Sequence, residues 1–437
     1  MNGHEGAGVR GREGARSFRV SASPRHCVVL ASLLMAACAS RDPDTLRFWA
    51  FGREGEVVQE LVRDFVREYP GTPVRVQQMP WSAAHEKLLT AIVGRATPDL
   101  AQMGNTWIPE MVTLGALAPV GAGLPDRSYF PGIVATNLVG DTLFGVPWYV
   151  DTRVLFYRRD ILARAGYAVM PDTWEGWREA MQAMKRVMAP GAFPIFLPIN
   201  EWPPMVILGL QQGAALVTEE GFGGFRQPAF ARAFAFLLSL YRDGLAAPVS
   251  NTEMANLYQE FARGSFAMYI TGPWNLGEFR RRLPPELADA WATAPLPGPT
   301  GAASGVSLAG GSSLVIFRAS RHRARALQLI EYLSRPAQQA KFYRLTGDLP
   351  ARREAWSDSA LAGDREADAF RIQLERAVPT PMVPEWEEVT TKVMDHTEAA
   401  VRGGKSAAEA LAAMDADVDR LLERRRYLRA RRTGGMP

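Results

Sequence analysis

Apolar and polar residues alternate along the first hundred positions in patterns that predict strands and helices in turn. Residues 45–50 (TLRFWA) have the short apolar pattern of a strand, and residues 56–69 follow with apolar side chains at helical spacing. A strand at 74–78, a helix around 84–93 and a strand at 100–103 continue the series. This βαβαβ order predicts a parallel sheet covered by helices.

Long helical patterns dominate the rest of the chain, with strand-like runs between them. Helices are expected at 174–188, where Thr173 is the N-cap, and at 228–242. Strands are expected at 266–270 and 313–317, and the C-terminal region is mostly amphipathic helix. Because 437 residues exceed what one hydrophobic core usually supports, we expect two lobes.

The N-terminal segment has the composition of an export signal. Several arginines precede the apolar run 27–37 (CVVLASLLMAA), which is shorter than the ~20 residues that span a bilayer. The run leads into MAAC at residues 35–38, which resembles the bacterial lipoprotein processing box. We therefore expect residues 1–37 to be removed as a signal peptide and Cys38 to carry a lipid that anchors the exported protein to the membrane. A plain cleavable signal with an uninvolved cysteine is the alternative.

The charge of the chain is distributed unevenly. The full chain has 50 basic and 46 acidic residues, a net charge of +4 that would suit nucleic acid or anionic lipid. Without the leader and the arginine-rich tail 424–437, residues 38–423 contain 39 basic against 44 acidic residues, a net charge of −5. This acidic body argues against a nucleic-acid partner. The two cysteines exclude a disulfide framework.

Sequence motifs for catalysis begin but are not completed. His85 starts an H-E-x-x-H pattern in which Leu89 occupies the second histidine position. Residues 404–406 (GKS) end like a phosphate-binding loop, but Ala399 occupies its first glycine position. We therefore expect no enzyme activity, no cofactor and no metal. An exported glycosidase stays an alternative, since carboxylates are plentiful.

Eleven tryptophans are present, and several lie where core packing does not require them. Those next to proline or a polar residue in turns or at strand ends are Trp81, Trp148, Trp202 and Trp274. A sugar ring has an apolar face and a rim of hydroxyl groups, so its site needs flat aromatic surfaces beside carboxylates, amides or arginine. Residues 147–151 (PWYVD) supply both. Packing is instead favoured for the tryptophans inside predicted helices, which are Trp107, Trp174 and Trp177.

Seven motifs extend over nearly the whole exported chain, from about residue 46 to residue 422. They are FVREYPG (65–71), TPDLAQMGNTWIP (97–109), FGVPWYVDTRVLFY (144–157), GSFAMYITGPW (264–274), LAGGSSLVIF (308–317), LPAR (349–352) and GKSAAEAL (404–411). In this order they resemble the carbohydrate-binding extracellular solute-binding proteins of bacterial ABC importers, the family of maltose- and trehalose-binding proteins.

The resemblance implies an α/β fold with two lobes, the type II periplasmic-binding-protein fold. Each lobe is expected to be a mostly parallel sheet flanked by helices, with three chain crossings near Val150, Gly305 and Leu349 forming the hinge. The implied boundaries are 44–150 and 306–349 for the N-terminal lobe, 151–305 and 350–423 for the C-terminal lobe, and 424–437 for a basic tail.

The resemblance also implies a function. The protein is expected to be a monomeric receptor that captures a mono- or oligosaccharide in the cleft between the lobes and delivers it to a membrane permease. A binding protein for another polar solute, such as a polyol or glycerol phosphate, is the alternative.

The family's motif positions imply the ligand contacts. They are Glu54 before the first helix, Tyr149 and Asp151 at the first crossing, Trp274, the paired glycines Gly310 and Gly311, and Arg352 at the third crossing. Relatives that bind disaccharides often have aspartate at the position of Gly104 and an aromatic residue near Ser312 and Ser313. Asn105 is expected to replace that carboxylate, and Trp148 or Trp202 that aromatic surface. Further candidates are Trp81, His85 and Trp386.

Overall fold

The computed structural model describes residues 44–121 and 128–432. The described residues from Leu46 onward form one compact unit, and of Met1–Thr45 only the last two residues are described. The predicted signal peptide and Cys38 therefore lie outside the described residues.

The strands follow the predicted order in the first hundred residues and continue to the C-terminal third. They are β1 (Leu46–Phe51), β2 (Val74–Met79), β3 (Leu100–Gly104), β4 (Leu117–Ala118), β5 (Leu138–Val139), β6 (Thr142–Leu143), β7 (Gly145–Asp151), β8 (Val154–Arg158), β9 (Phe193–Phe196), β10 (Phe266–Thr271), β11 (Trp291–Ala294), β12 (Ser307–Leu308), β13 (Gly310–Phe317), β14 (Leu349–Pro350) and β15 (Ala377–Val378).

The α-helices lie between these strands and after them. They are α1 (Gly52–Glu68), α2 (Trp81–Val93), α3 (Ile108–Thr113), α4 (Pro131–Ala135), α5 (Arg159–Arg164), α6 (Trp174–Val187), α7 (Pro203–Gln211), α8 (Pro228–Arg242), α9 (Leu257–Arg263), α10 (Trp274–Arg282), α11 (Arg323–Leu333), α12 (Pro336–Thr346), α13 (Ser359–Ala362), α14 (Arg365–Leu374), α15 (Trp386–Val401) and α16 (Ala407–Arg432).

Two of these helices illustrate how the sequence sets their bounds. In α1 the residues Val58, Leu61 and Phe65 are fully buried, which places the predicted apolar stripe against the sheet. At the start of α6 the hydroxyl of Thr173 accepts a hydrogen bond from the backbone N–H of Gly176, as expected for an N-cap.

The larger sheet is built around β13. Its strand order is β14-β7-β13-β3-β1-β2, and β4 pairs with β13 as well. Strand β1 is parallel to β2 and β3, whereas β13 is antiparallel to β3, β4 and β7, and β14 is antiparallel to β7.

The smaller sheet has the order β11-β8-β10-β9. Strand β10 is parallel to β9 and antiparallel to β8, and β8 is antiparallel to β11. Both sheets are therefore mixed, and the prediction of mostly parallel sheets is wrong in this detail. Parallel pairs form where a helix joins successive strands, as between β1 and β2, but strands that enter a sheet after the chain has visited the other sheet run the opposite way.

The core behind the larger sheet contains Trp148, which was predicted as a ligand contact. Its side chain is fully buried and packs against Phe342, with ring centroids 4.4 Å apart, and against Phe48 at 6.2 Å. The pairing of β7 with β13 shifts by one residue here, so Trp148 is the extra residue of a β-bulge, and its side chain packs in the core. Trp174 and Trp177 are also buried, as their helical positions predicted.

We expect Trp148→Ala to lower the free energy of unfolding by about 3–5 kcal/mol, because it leaves a large cavity in a packed core. Trp148→Phe is the matched control and should cost much less, since the indole N–H of Trp148 has no hydrogen-bond partner to lose. Chemical denaturation of both variants measures the difference. Wild-type stability of Trp148→Ala would show that the side chain is not part of the core.

Candidate functional site

A cavity of about 600 Å³ lies where the ends of strands from the larger sheet face helices attached to the smaller sheet. The larger sheet contributes Tyr149 and Asp151 from β7 and the paired glycines from the start of β13. The other side contributes Trp202 and Trp274, which stand at the starts of α7 and α10. Such a volume is typical of a small-molecule site.

A chain of hydrogen bonds holds Glu54 at the wall of this cavity. The backbone N–H of Phe51 donates to Gln102 Oε1 at 2.7 Å, and Gln102 Nε2 donates to the Tyr149 hydroxyl at 3.1 Å. The Tyr149 hydroxyl donates to Glu54 Oε1 at 3.0 Å, and the Trp81 indole N–H lies 3.3 Å from both carboxylate oxygens. Burial, together with the charge of Glu54, raises the pKa of Tyr149 well above its usual value, which keeps this hydroxyl a donor.

Asp151, Arg153 and Trp274 form a second group. Arg153 donates to the Asp151 carboxylate, and its guanidinium carbon lies 4.5 Å from the ring centroid of Trp274. Burial raises the pKa of Asp151, and the neighbouring Arg153 opposes this shift. The Trp274 side chain remains 48% exposed, although it is a large apolar group beside the cavity. Its ring is thus available to a ligand.

Asp348 is a cavity residue that the motifs did not identify. Burial and, to a lesser extent, the negative charges of Glu54 and Asp151 together raise the pKa of its carboxyl to about 8. The group is therefore a neutral acid at pH 7, able to donate one hydrogen bond and to accept others.

Asn105 and the paired glycines also line the cavity. Asn105 donates to the Thr136 hydroxyl at 2.8 Å and accepts from the Ser313 hydroxyl at 2.9 Å. Gly311 has a φ of +114°, and a Cβ there would lie 2.3 Å from the Tyr149 carbonyl oxygen. Only glycine lets β13 approach β7 this closely.

Several predicted residues are brought together at the cavity, and others are not. Those that line it are Glu54, Trp81, Asn105, Tyr149, Asp151, Trp202, Trp274, Gly310 and Gly311. Those that lie outside its lining are His85, Trp148, Arg352 and Trp386.

The residues outside the lining have other partners. Arg352 pairs with Glu354 at 3.1 Å and lies over the Tyr129 ring, so its guanidinium is held on the larger-sheet side. His85 is hydrogen-bonded to Glu110 at 2.6 Å, and this bond raises the pKa of the imidazole. Trp386 is buried behind Trp202, with the two rings edge to face at 5.7 Å.

Sequence reasoning missed four charged cavity residues and one tryptophan. The charged residues are Arg53, Arg153, Glu278 and Asp348, and the tryptophan is Trp107, which packs beside a core cluster as predicted but also lines the cavity half-buried. Arg53 and Arg153 adjoin predicted contacts in sequence, which was a usable signal. Asp348 adjoins the predicted crossing at Leu349 and Glu278 lies one turn after Trp274 on α10, but their approach to the cavity depends on the tertiary fold.

The arrangement suits a ligand rich in hydroxyl groups. Aromatic faces alternate with acceptors, and four carboxyl groups line the cavity against two guanidinium groups. Within the described residues, no group of three or more His, Cys, Asp and Glu side chains is placed to hold a metal ion. The aromatic faces and hydrogen-bonding groups of the lining suit binding through stacking and hydrogen bonds.

Comparison with known proteins identifies relatives with the same architecture. The family model described as bacterial extracellular solute-binding protein matches residues 51–340. A solved structure, the sugar-binding protein MalE from Xanthomonas citri, is 46% identical, with a TM-score of 0.85 over 88% of this chain and 98% of that chain. The predicted two-lobed α/β fold is thereby confirmed.

Two more distant relatives are known by what they bind. The diacetylchitobiose-binding protein DasA of Streptomyces coelicolor is 23% identical over 87% of this chain and 90% of its own length. The galactooligosaccharide-binding protein of Bacillus subtilis is 23% identical over 82% of this chain and 87% of its own length.

We expect the free energy of unfolding of Asp348→Asn to exceed that of the wild type by an amount that grows as the pH rises from 4 to 8. In the unfolded chain the Asp348 carboxyl loses its proton near its ordinary pKa of 3.8, whereas the folded protein retains it up to about pH 8. The Asp348 carboxyl therefore lowers the free energy of unfolding of the wild type increasingly across this range, whereas the asparagine variant has no such group to titrate. Chemical denaturation at several pH values measures the difference.

Asp64→Asn is the control with the opposite sign. The hydrogen bond from Lys341 lowers the pKa of Asp64, so the carboxylate stabilises the folded protein above pH 4 and this contribution fades as the pH falls. A pH-independent difference between Asp348→Asn and the wild type would contradict the buried neutral acid.

Proposed function

The chain belongs to the bacterial extracellular solute-binding protein family, and on this basis we propose that it is the sugar receptor of an ABC-type importer. It captures a mono- or oligosaccharide in the cavity between its two sheets and delivers the sugar to the membrane permease. The observation that carries the proposal is the combination, in one cavity, of exposed aromatic faces with fixed hydrogen-bond acceptors.

The proposed contacts have different roles in sugar recognition. Trp274 stacks on the apolar face of a sugar ring, and Trp81 and Trp202 offer further aromatic surface. Glu54 and Asp151 accept hydrogen bonds from sugar hydroxyls, since each keeps oxygen capacity beyond its protein partners. A phosphate-bearing ligand such as glycerol phosphate fits less well, because the carboxyl groups at the cavity repel an anion.

Binding is proposed to close the two lobes over the ligand. The lobes comprise residues 44–150 and 306–349, and residues 151–305 and 350–423. A ligand that bridges both lobes shifts an existing equilibrium between open and closed forms toward the closed form. The protein performs no chemistry in this cycle and releases the sugar unchanged.

The cellular location follows from the family and from the leader. The family is extracellular, and we propose that Cys38 carries a lipid after residues 1–37 are removed. In the described part of the chain, no helix is long and apolar enough to cross a membrane.

We expect some member of a carbohydrate panel to raise the melting temperature. A ligand that binds only the folded protein stabilises it by about 2.7 kcal/mol at a hundredfold excess over Kd. Differential scanning fluorimetry measures the shift, and chromatography of the mixture should recover the sugar intact. No shift with any carbohydrate, together with a shift by amino acids or peptides, would refute the proposal, and released hydrolysis products would indicate a glycosidase.

Trp274→Ala should abolish the shift produced by an active sugar while leaving the melting temperature of the free protein nearly unchanged. The indole ring is 48% exposed, so its removal costs little packing but deletes the stacking surface. Tyr427→Ala, at a residue that is 49% exposed and lies outside the cavity, is the matched control and should retain the full shift. A large fall in stability of the free Trp274→Ala protein would instead assign Trp274 to the core.

A further inference from the structure

The last helix, α16, has one face held against the rest of the protein. Arg426 donates to the carbonyl oxygen of Gly221 at 2.8 Å, and Arg429 donates to the carbonyl oxygen of Glu219 at 2.6 Å. Arg425 lies 3.6 Å from the carboxylate of Glu385. These three arginines fix the orientation of the C-terminal turns of the helix.

The opposite face of these turns is exposed and has a distinct composition. Four residues at spacings of three, one and three positions lie on one helix face. They are Arg424, Tyr427, Leu428 and Arg431. Tyr427 is 49% exposed and Leu428 is 47% exposed, and both arginines are exposed. We call these four residues the terminal patch.

The terminal patch lies in a strongly basic segment, to which it contributes the exposed Arg424 and Arg431. Residues 424–437 contain six arginines and no acidic residue, whereas residues 38–423 have a net charge of −5. An acidic body is repelled by an anionic surface, so a single strongly basic end sets which side of the protein approaches it.

The chemistry of the patch matches a lipid surface better than a second protein of the same kind. Arginines attract anionic headgroups, tyrosine favours the interface between headgroups and acyl chains, and leucine enters the apolar layer. Two arginines that flank an apolar pair on one helix face therefore have the arrangement of an interfacial anchor. We propose that the terminal patch docks on the anionic phospholipid surface of the membrane, as an interaction separate from sugar binding in the cavity.

Vesicle co-sedimentation tests this docking. The protein begins at Ala39, which retains the whole compact unit and removes Cys38, so no lipid can be attached. Vesicles of phosphatidylcholine alone are compared with vesicles that also contain phosphatidylglycerol. We expect binding only to the second kind, and we expect that binding to weaken as salt is raised.

Two double variants separate the patch from overall charge. Arg424→Glu with Arg431→Glu should reduce partitioning onto the anionic vesicles by about tenfold or more, because each arginine near an anionic surface contributes substantially. Arg63→Glu with Arg75→Glu makes the same charge change at exposed arginines of the larger-sheet side and should reduce it less than about twofold. Tyr427→Ala with Leu428→Ala should partly reduce partitioning onto the anionic vesicles.

Other outcomes would overturn the proposal. These are no binding of the wild type to anionic vesicles, equal binding to both kinds of vesicle, or equal losses in the two charge-reversed variants. Binding only to vesicles that contain the permease would assign the patch to a protein partner instead. The sugar-induced melting shift, measured on the same variants, should be unchanged, so a failure of sugar binding is distinguished from a failure of docking.

Discussion

The hydrogen-bonded alignment of β7, β13 and β14 determines where the cavity residues lie. Val150 on β7 is opposite Gly311 on one side and Leu349 on the other. Because the end of β7 lies beside the starts of β13 and β14, Asp151, Gly310 and the residue that precedes β14, Asp348, come together at the cavity. The site is therefore assembled by backbone pairing at the boundary between the two sheets.

The sequence predicted the order of elements well because helical and strand periodicities are local properties, and β1 to β3 with their helices appear where expected. The direction of a strand within a sheet depends on pairing between distant segments, so the sequence did not predict that the sheets are mixed. Within the site, motif positions identified Glu54, Asp151 and Trp274. The burial of Trp148 results from a β-bulge that local alternation does not reveal, and the position of Asp348 depends on pairing between residues about 200 positions apart.

The cavity concentrates negative charge in a protein whose body is already acidic. Glu54 and Asp151 act on Asp348 through their negative charges, and Arg153 is a cation that donates a hydrogen bond to Asp151. Burial of several carboxyl groups is tolerated when one of them stays protonated, as the raised pKa of Asp348 indicates. A neutral polyhydroxyl ligand satisfies such a site without adding charge to it.

The buried amide of Gln102 has a directional consequence. Its oxygen is occupied by the backbone N–H of Phe51, so its nitrogen must face Tyr149, and the Tyr149 proton must then point to Glu54. The backbone N–H of Phe51 thereby fixes the donor and the acceptor in each hydrogen bond from Gln102 to Glu54. Glu54 is therefore presented to the cavity as an acceptor, and in the proposed sugar site a sugar whose facing hydroxyl is capped by a methyl ether has no proton to offer there.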